Sequence, residues 1–159
     1  MTNTQSDQWE NRLAIAELLT KYFRALDDKD FETETFAAIF TEDATVTRPN
    51  DTVITGPAEI AASHRKSLAR FRATQHLLTG HDTKIDGDEA TVRANLVAVH
   101  LWADGFGDPS SLDRHFSAGG VITAAARRMK DGWRLLSLEN RVVWRTGSGY
   151  GAMLETNEE

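Results

Sequence analysis

The chain has 159 residues, is 40% hydrophobic and 26% charged, carries a formal net charge of −6 and contains no cysteine. That length supports one domain with a sizeable core. The acidic balance argues against nonspecific binding to nucleic acid or to an anionic membrane, and the lack of cysteine excludes a disulfide framework and a thiolate zinc site.

The N-terminal residues Met1 to Asp7 have neither the basic stretch nor the apolar run of a secretory leader, so a cytoplasmic protein is expected. No window approaches the roughly 20 apolar residues of a membrane span. Mobile ends are expected for the first eight residues and from Thr146 onward. Ile15, Leu18, Leu19, Tyr22 and Leu26 follow helical spacing and predict a first helix ending near Asp27–Lys29. Asp30 is placed to cap a second helix, with Glu32 and Glu34 in its first turn and Phe36, Ile39 and Phe40 on its buried face. A short strand over Ala44–Arg48 follows, then a turn at Pro49-Asn50-Asp51 and a short run Thr52–Thr55. Gly56-Pro57 opens a third helix with proline at its first position, and Ile60, His64 and Leu68 lie on one line of it.

From residue 72 onward the pattern is that of antiparallel sheet. Asp86-Gly87-Asp88 separates long strands over Arg72–Ile85 and Glu89–Ala103. Asp131-Gly132 does the same between Phe116–Met129 and Trp133–Trp144, and residues 104–114 form the one long loop, a candidate lid. Helices first and strands afterwards predict an α+β fold, a curved, mostly antiparallel sheet wrapped around helices with an internal pocket.

The histidines are the chemical signal. In the strand from Glu89, residues Ala90, Val92, Ala94, Leu96, Ala98 and His100 share one otherwise apolar face. A histidine buried there needs a partner, and imidazole is the side chain best suited to moving a proton near neutral pH. His76 shares a strand face with Leu78 and Gly80. His81 falls on the opposite face unless a bulge at Gly80 shifts the register. His64 reads as core, and His115 begins a strand beside the long loop. Asp27 sits near a helix C-terminus, where a negative charge is disfavoured. An imidazole or solvent is its expected compensation. Asn140 is placed toward the pocket and Glu139 away from it. Trp102 and Trp144 are expected pocket walls, while Trp133 and Leu135 are expected to pack on the helices. No metal-ligand motif, phosphate-binding glycine loop or nucleophile elbow is present.

The segments Lys21-Tyr22-Phe23-Arg24-Ala25-Leu26-Asp27, Phe40-Thr41-Glu42-Asp43-Ala44-Thr45-Val46, Gly56-Pro57-Ala58-Glu59-Ile60, Thr74-Gln75-His76-Leu77-Leu78, Asp131-Gly132-Trp133-Arg134-Leu135 and Arg141–Trp144 occur in an order that resembles the nuclear-transport-factor-like α+β roll. Within it they resemble the SnoaL-like group, over about residues 9–146. The resemblance implies a cone-shaped roll, one SnoaL-like domain over residues 1–159, and a pocket lined by the strand that carries His100. Tyr22, Asp27, His76 and His100 resemble the tyrosine, aspartate and two histidines of scytalone dehydratase-type members. Ketosteroid isomerases carry their general-base carboxylate in the stretch that matches Val46–Pro49, where this chain has Arg48, so isomerisation by that route is disfavoured. The carboxylates of limonene-type epoxide hydrolases have no counterpart around Arg93 and Asn95.

Two readings follow. The first is a cofactor-free and metal-free acid–base enzyme, a dehydratase or polyketide cyclase acting on an aromatic or polyketide-like molecule through an enolate. His76 is the expected base, Asp27 its orienter, Tyr22 the donor to the enolate oxygen, and His100 the acid or a second donor. Trp102, Asn140, Leu78, Trp144 and Arg48 are the expected substrate-binding residues. The second reading is a noncatalytic binding or assembly module, with an isomerase kept as a further alternative. A homodimer is expected through the outer face of the sheet, where Val97, Val99 and Leu101 alternate with the inward set.

Overall fold

In a computed structural model, residues 4–153 are described. Of the expected loose ends, residues 1–3 and 154–159 lie outside the described residues, whereas residues 5–8 belong to the first helix, Thr146 and Gly147 to the last strand, and Tyr150–Met153 to a short 3-10 helix. Within them, α1 (Gln5–Asp27) begins earlier than expected, because Thr4 and Asp7 form a reciprocal capping box that satisfies its first free N–H groups. α2 is short (Thr33–Ala37). Asp30 does not cap it but accepts from the Glu32 N–H and the Thr35 hydroxyl. β1 (Phe40–Thr47) starts where the second helix was expected to continue, and β2 (Val53–Thr55) pairs with it. α3 (Pro57–Leu68) has proline in its first turn, after Gly56 at φ 87°. β3 (Phe71–Asp86), β4 (Glu89–Trp102), β5 (His115–Met129) and β6 (Gly132–Gly147) are long hairpin-linked strands.

The sheet order is β2-β1-β6-β5-β4-β3. All neighbours are antiparallel except β1 and β6, which run parallel. The fold is thus α+β, an unclosed, mostly antiparallel sheet whose inner face carries the helices. β4 shows why it holds. Its burial alternates strictly, with Ala90, Val92, Ala94, Leu96, Ala98, His100 and Trp102 inside. Facing them are Ile15, Leu18, Leu19, Tyr22 and Leu26 of α1, all buried. Each large apolar side chain so buried contributes about 1.5–3 kcal/mol.

The strand pairings shift register at five places, and three of these bulges, along the long strands, change the facing of residues beyond them. One lies in β3 between Thr79 and Asp82, with Gly80 at φ 66°. Two lie between β5 and β6, at Ala125/Ala126 and at Gly119/Gly120.

Candidate active site

The cavity opens between the inner face of β3–β6 and the C-terminal half of α1, with the segment after β1 and α3 on its other side. Its volume is about 150 Å³. An apolar cavity of that size takes up a benzene-sized molecule. Tyr22, His64, His76, His100, Arg48 and Asn140 all line it.

Asp27 is the last residue of α1, where the helix dipole disfavours its charge. β3 supplies the compensation. The His76 backbone N–H donates to Oδ2 at 2.9 Å, the Thr74 hydroxyl donates to Oδ1 at 2.9 Å, and His76 Nδ1 lies 2.6 Å from Oδ1. Burial pushes the Asp27 carboxyl upward, but the bonds and charge from His76 and the bond from Thr74 outweigh it, and the net shift is downward. An ionised carboxylate only accepts, so His76 Nδ1 carries a hydrogen. In neutral His76 the Nε2 lone pair is then free. The His76 side chain is 7% exposed and its ring packs on Phe23 with centroids 5.0 Å apart.

His76 pairs with Ala98 on β4, and His100 lies two residues further along that strand. The two imidazoles are therefore diagonal neighbours on one face, with centroids 5.9 Å apart. His100 stacks on Phe116 at 4.2 Å and 10°. Burial, assisted by the His76 imidazole, pushes His100 down to about 4. It is neutral at pH 7 and acts by hydrogen bonding.

A second polar group stands across the cavity. Tyr22 Oη lies 2.7 Å from His64 Nε2, and Arg48 Nη2 lies 2.9 Å from His64 Nδ1. Burial pushes the Tyr22 phenol well above its ordinary value, against the pull of the Arg48 charge. Burial, with the charges of Arg48 and His76, holds His64 well below the usual imidazole range.

Among the described residues, the buried side-chain polar atoms with no partner in the protein are Arg48 Nε, His100 Nδ1 and Asn140 Oδ1. All three residues line this one cavity. Buried polar groups are normally satisfied, and of these three residues His100 also interacts with the Phe116 backbone, which raises its pKa against the burial that lowers it.

Three expected walls lie elsewhere. Trp144 is 44% exposed on the outer face. The bulge opposite Gly119 and Gly120 pairs Gly119 with Trp144 and Gly120 with Val142, which turns Trp144 outward over Gly119 and brings Arg145 to the cavity instead. Trp102 faces inward but packs at the end of the sheet against Phe71 and Phe116, and its Nε1–H donates to the Ser148 carbonyl at 2.9 Å. Leu78 lines a separate surface cleft with Asp27, Thr74, His76 and exposed His81. That cleft is larger, about 520 Å³, but it contains none of the unpartnered atoms. His115 is half-buried at the start of β5. Trp133 packs in the core with its Nε1–H on Asn11.

Sequence reasoning assigned no chemistry to His64 or Arg145. A polar residue in the otherwise apolar Ile60–His64–Leu68 line was the available signal for the first. The second depends on a bulge that strand alternation does not announce. Among the described residues no group of three or more His, Asp or Glu side chains is arranged to hold a metal ion, and no helix is long and apolar enough to cross a membrane.

Comparison with known proteins agrees with this architecture. The Kfla4162 protein from Kribbella flavida is 28% identical, with 88% of this chain and 95% of that chain covered and a TM-score of 0.80. The hexachlorocyclohexane dehydrochlorinase LinA-type3 from Novosphingobium barchaimii LL02 is 18% identical, with coverage of 91% and 94% and a TM-score of 0.76. A scytalone dehydratase-like protein from Novosphingobium aromaticivorans DSM 12444 is 22% identical, with coverage of 92% and 91% and a TM-score of 0.71. At these identities the last two show the fold alone. No curated protein matches the sequence significantly. Residues 7–139 match the SnoaL-like domain, and the chain belongs to that family.

Proposed function

We propose that this protein is a cofactor-free acid–base enzyme that removes a proton beside a carbonyl in a small, single-ring molecule, with loss of water or closure of a ring as the outcome. The observation that carries this reading is the Asp27–His76 pair set against a cavity that also presents Tyr22. His76 Nε2 takes the proton, because Asp27 holds Nδ1–H and leaves Nε2 free. Tyr22 donates to the oxygen on which negative charge develops. His100, neutral at pH 7, hydrogen-bonds the departing hydroxyl or a second oxygen, and in the dehydration the proton taken by His76 is passed to that hydroxyl, which leaves as water and returns His76 to its neutral form. A positioned base supplies about 10²–10⁴-fold and an oxyanion donor about 10²–10³-fold. The sum suits an already acidic carbon.

The names of two structural neighbours, a dehydrochlorinase and a scytalone dehydratase-like protein, both denote eliminations, which is the same class of proton removal. The cavity volume of about 150 Å³ accommodates one ring.

The test uses cyclohexanone in deuterium oxide and 3-hydroxycyclohexanone in water. NMR follows deuterium entry at the alpha carbon, and ultraviolet absorbance follows the enone formed by dehydration. The native protein is expected to accelerate at least one of these, and His76→Ala to lose the acceleration. If the native protein binds the ketones without accelerating either reaction, a binding module of the same fold is the better reading.

A further inference from the structure

The acid–base reading uses Tyr22 as a donor, yet its oxygen is only 2.7 Å from His64 Nε2. Which of the two donates is decided by Arg48. A guanidinium has no lone pair to offer, so His64 Nδ1, 2.9 Å from Arg48 Nη2, must accept. A neutral imidazole carries one hydrogen, which is then on Nε2 and is given to Tyr22 Oη. Burial and the Arg48 charge keep His64 neutral. Tyr22 therefore accepts from His64, and its own hydroxyl hydrogen is unspent. Among the described residues it makes no other hydrogen bond.

Arg48 is in a matching state. Its Nη2 is spent on His64, while its Nε–H is buried without a partner. Arg48 and Tyr22 are joined through the two ring nitrogens of His64. Arg70 and Arg145 line the same cavity, and among the described residues no carboxylate does.

We propose that His64 is a positioning residue that makes Tyr22 a donor into the cavity, and that Tyr22 and Arg48 form a subsite for a single anionic oxygen, the phenolate of a phenol or the enolate of a ketone. A single oxygen is matched by the one hydrogen that Tyr22 has to give, with Arg48 beside it supplying charge. The proposal rests on the same cavity as the acid–base reading but needs no turnover.

The probe is 4-nitrophenol, a single ring whose phenolate absorbs at longer wavelength than the phenol. Its affinity is measured across pH by absorbance. The native protein is expected to bind phenolate at least about tenfold tighter than phenol, seen as a fall of about one unit in the ligand's pKa on binding. His64→Gln can accept from Arg48 and donate to Tyr22, and is expected to keep most of this preference. His64→Leu and Tyr22→Phe are expected to bring it below about threefold. Benzoate is expected to bind more weakly than 4-nitrophenolate. Equal affinity for phenol and phenolate in the native protein, or no binding, overturns the proposal. So does a His64→Leu variant that keeps the preference. If His64→Leu does not fold, nitrogen-15 NMR of the native protein decides, because hydrogen found on His64 Nδ1 contradicts the arrangement. Phenolate preference without proton exchange in the ketone assay would remove the acid–base reading and leave this subsite standing.

Discussion

Replacing Asp27 by asparagine separates the role of the carboxylate as an orienter from its role as a charge. The carboxylate receives three donors from β3. The backbone N–H of His76 cannot reverse, so the asparagine carbonyl must stay on it. The amide NH₂ then occupies the place of Oδ1, facing His76 Nδ1 and the Thr74 hydroxyl. Both of those can adapt. The hydroxyl rotates to accept, and the imidazole moves its hydrogen from Nδ1 to Nε2. Neutral bonds replace charge-assisted ones, at a cost of about 1–2 kcal/mol. For a domain of this size that is a fall in Tm of roughly 3–8 °C.

The catalytic cost is larger, because His76 Nε2, the proposed base, is now protonated. A wrong tautomer in an analogous carboxylate–histidine pair costs about 10⁴ in kcat, and a loss of roughly 10²–10⁴ is expected here. Deuterium exchange into cyclohexanone measures the rate, thermal melting the stability, and nitrogen-15 NMR the tautomer. A variant that keeps its rate within about threefold, or that keeps hydrogen on Nδ1, refutes the reasoning.

The remaining predictions concern pH, packing and assembly. His100 is near 4 when folded and about 6.5 when unfolded, so the unfolded chain binds the proton first as pH falls. Stability should drop by on the order of 3 kcal/mol between pH 6.5 and 4, and urea titrations should show a flatter profile for His100→Gln. Gly120→Ala should lower stability by about 1–3 kcal/mol, because the new Cβ would sit 2.5 Å from the Arg141 carbonyl oxygen, and denaturant unfolding checks this. Leu77, Val97, Gly119 and Trp144 form one row across the outer face, with Leu77 55%, Val97 38% and Trp144 44% exposed. A homodimer is expected to cover this row, and Trp144→Asp should shift the mass in light scattering toward the 17.7 kDa monomer.

What the sequence disclosed follows from how local each signal is. The α1 stripe, the proline at the start of α3 and the Asp-Gly turns are set by neighbours a few residues apart, and the corresponding elements appear at those places. The alternation in β4 was readable for the same reason, so the facing of His100 could be read too. The Asp27–His76 contact joins residues 49 apart in the chain, and spacing alone does not announce it. It became an expectation through family resemblance. Trp144 was misplaced because a bulge changes facing at one residue and leaves no mark beyond the paired glycines Gly119 and Gly120. α2 ended early because Phe40 pairs with Leu135 in β1, a tertiary contact that overrode local helical pattern. Arg48 was recognisable as a departure from the isomerase pattern, but its bond to His64 required the fold.

A crystal structure with bound 3-hydroxycyclohexanone, or with a single-ring phenol in its place, tests the central claim most directly. The ring is expected inside the cavity, its oxygen within hydrogen-bond distance of Tyr22 Oη, and the alpha carbon of the ketone roughly 3–3.5 Å from His76 Nε2. A ring seated in the outer cleft beside Asp27 and His81, or one whose oxygen faces away from Tyr22, would contradict it.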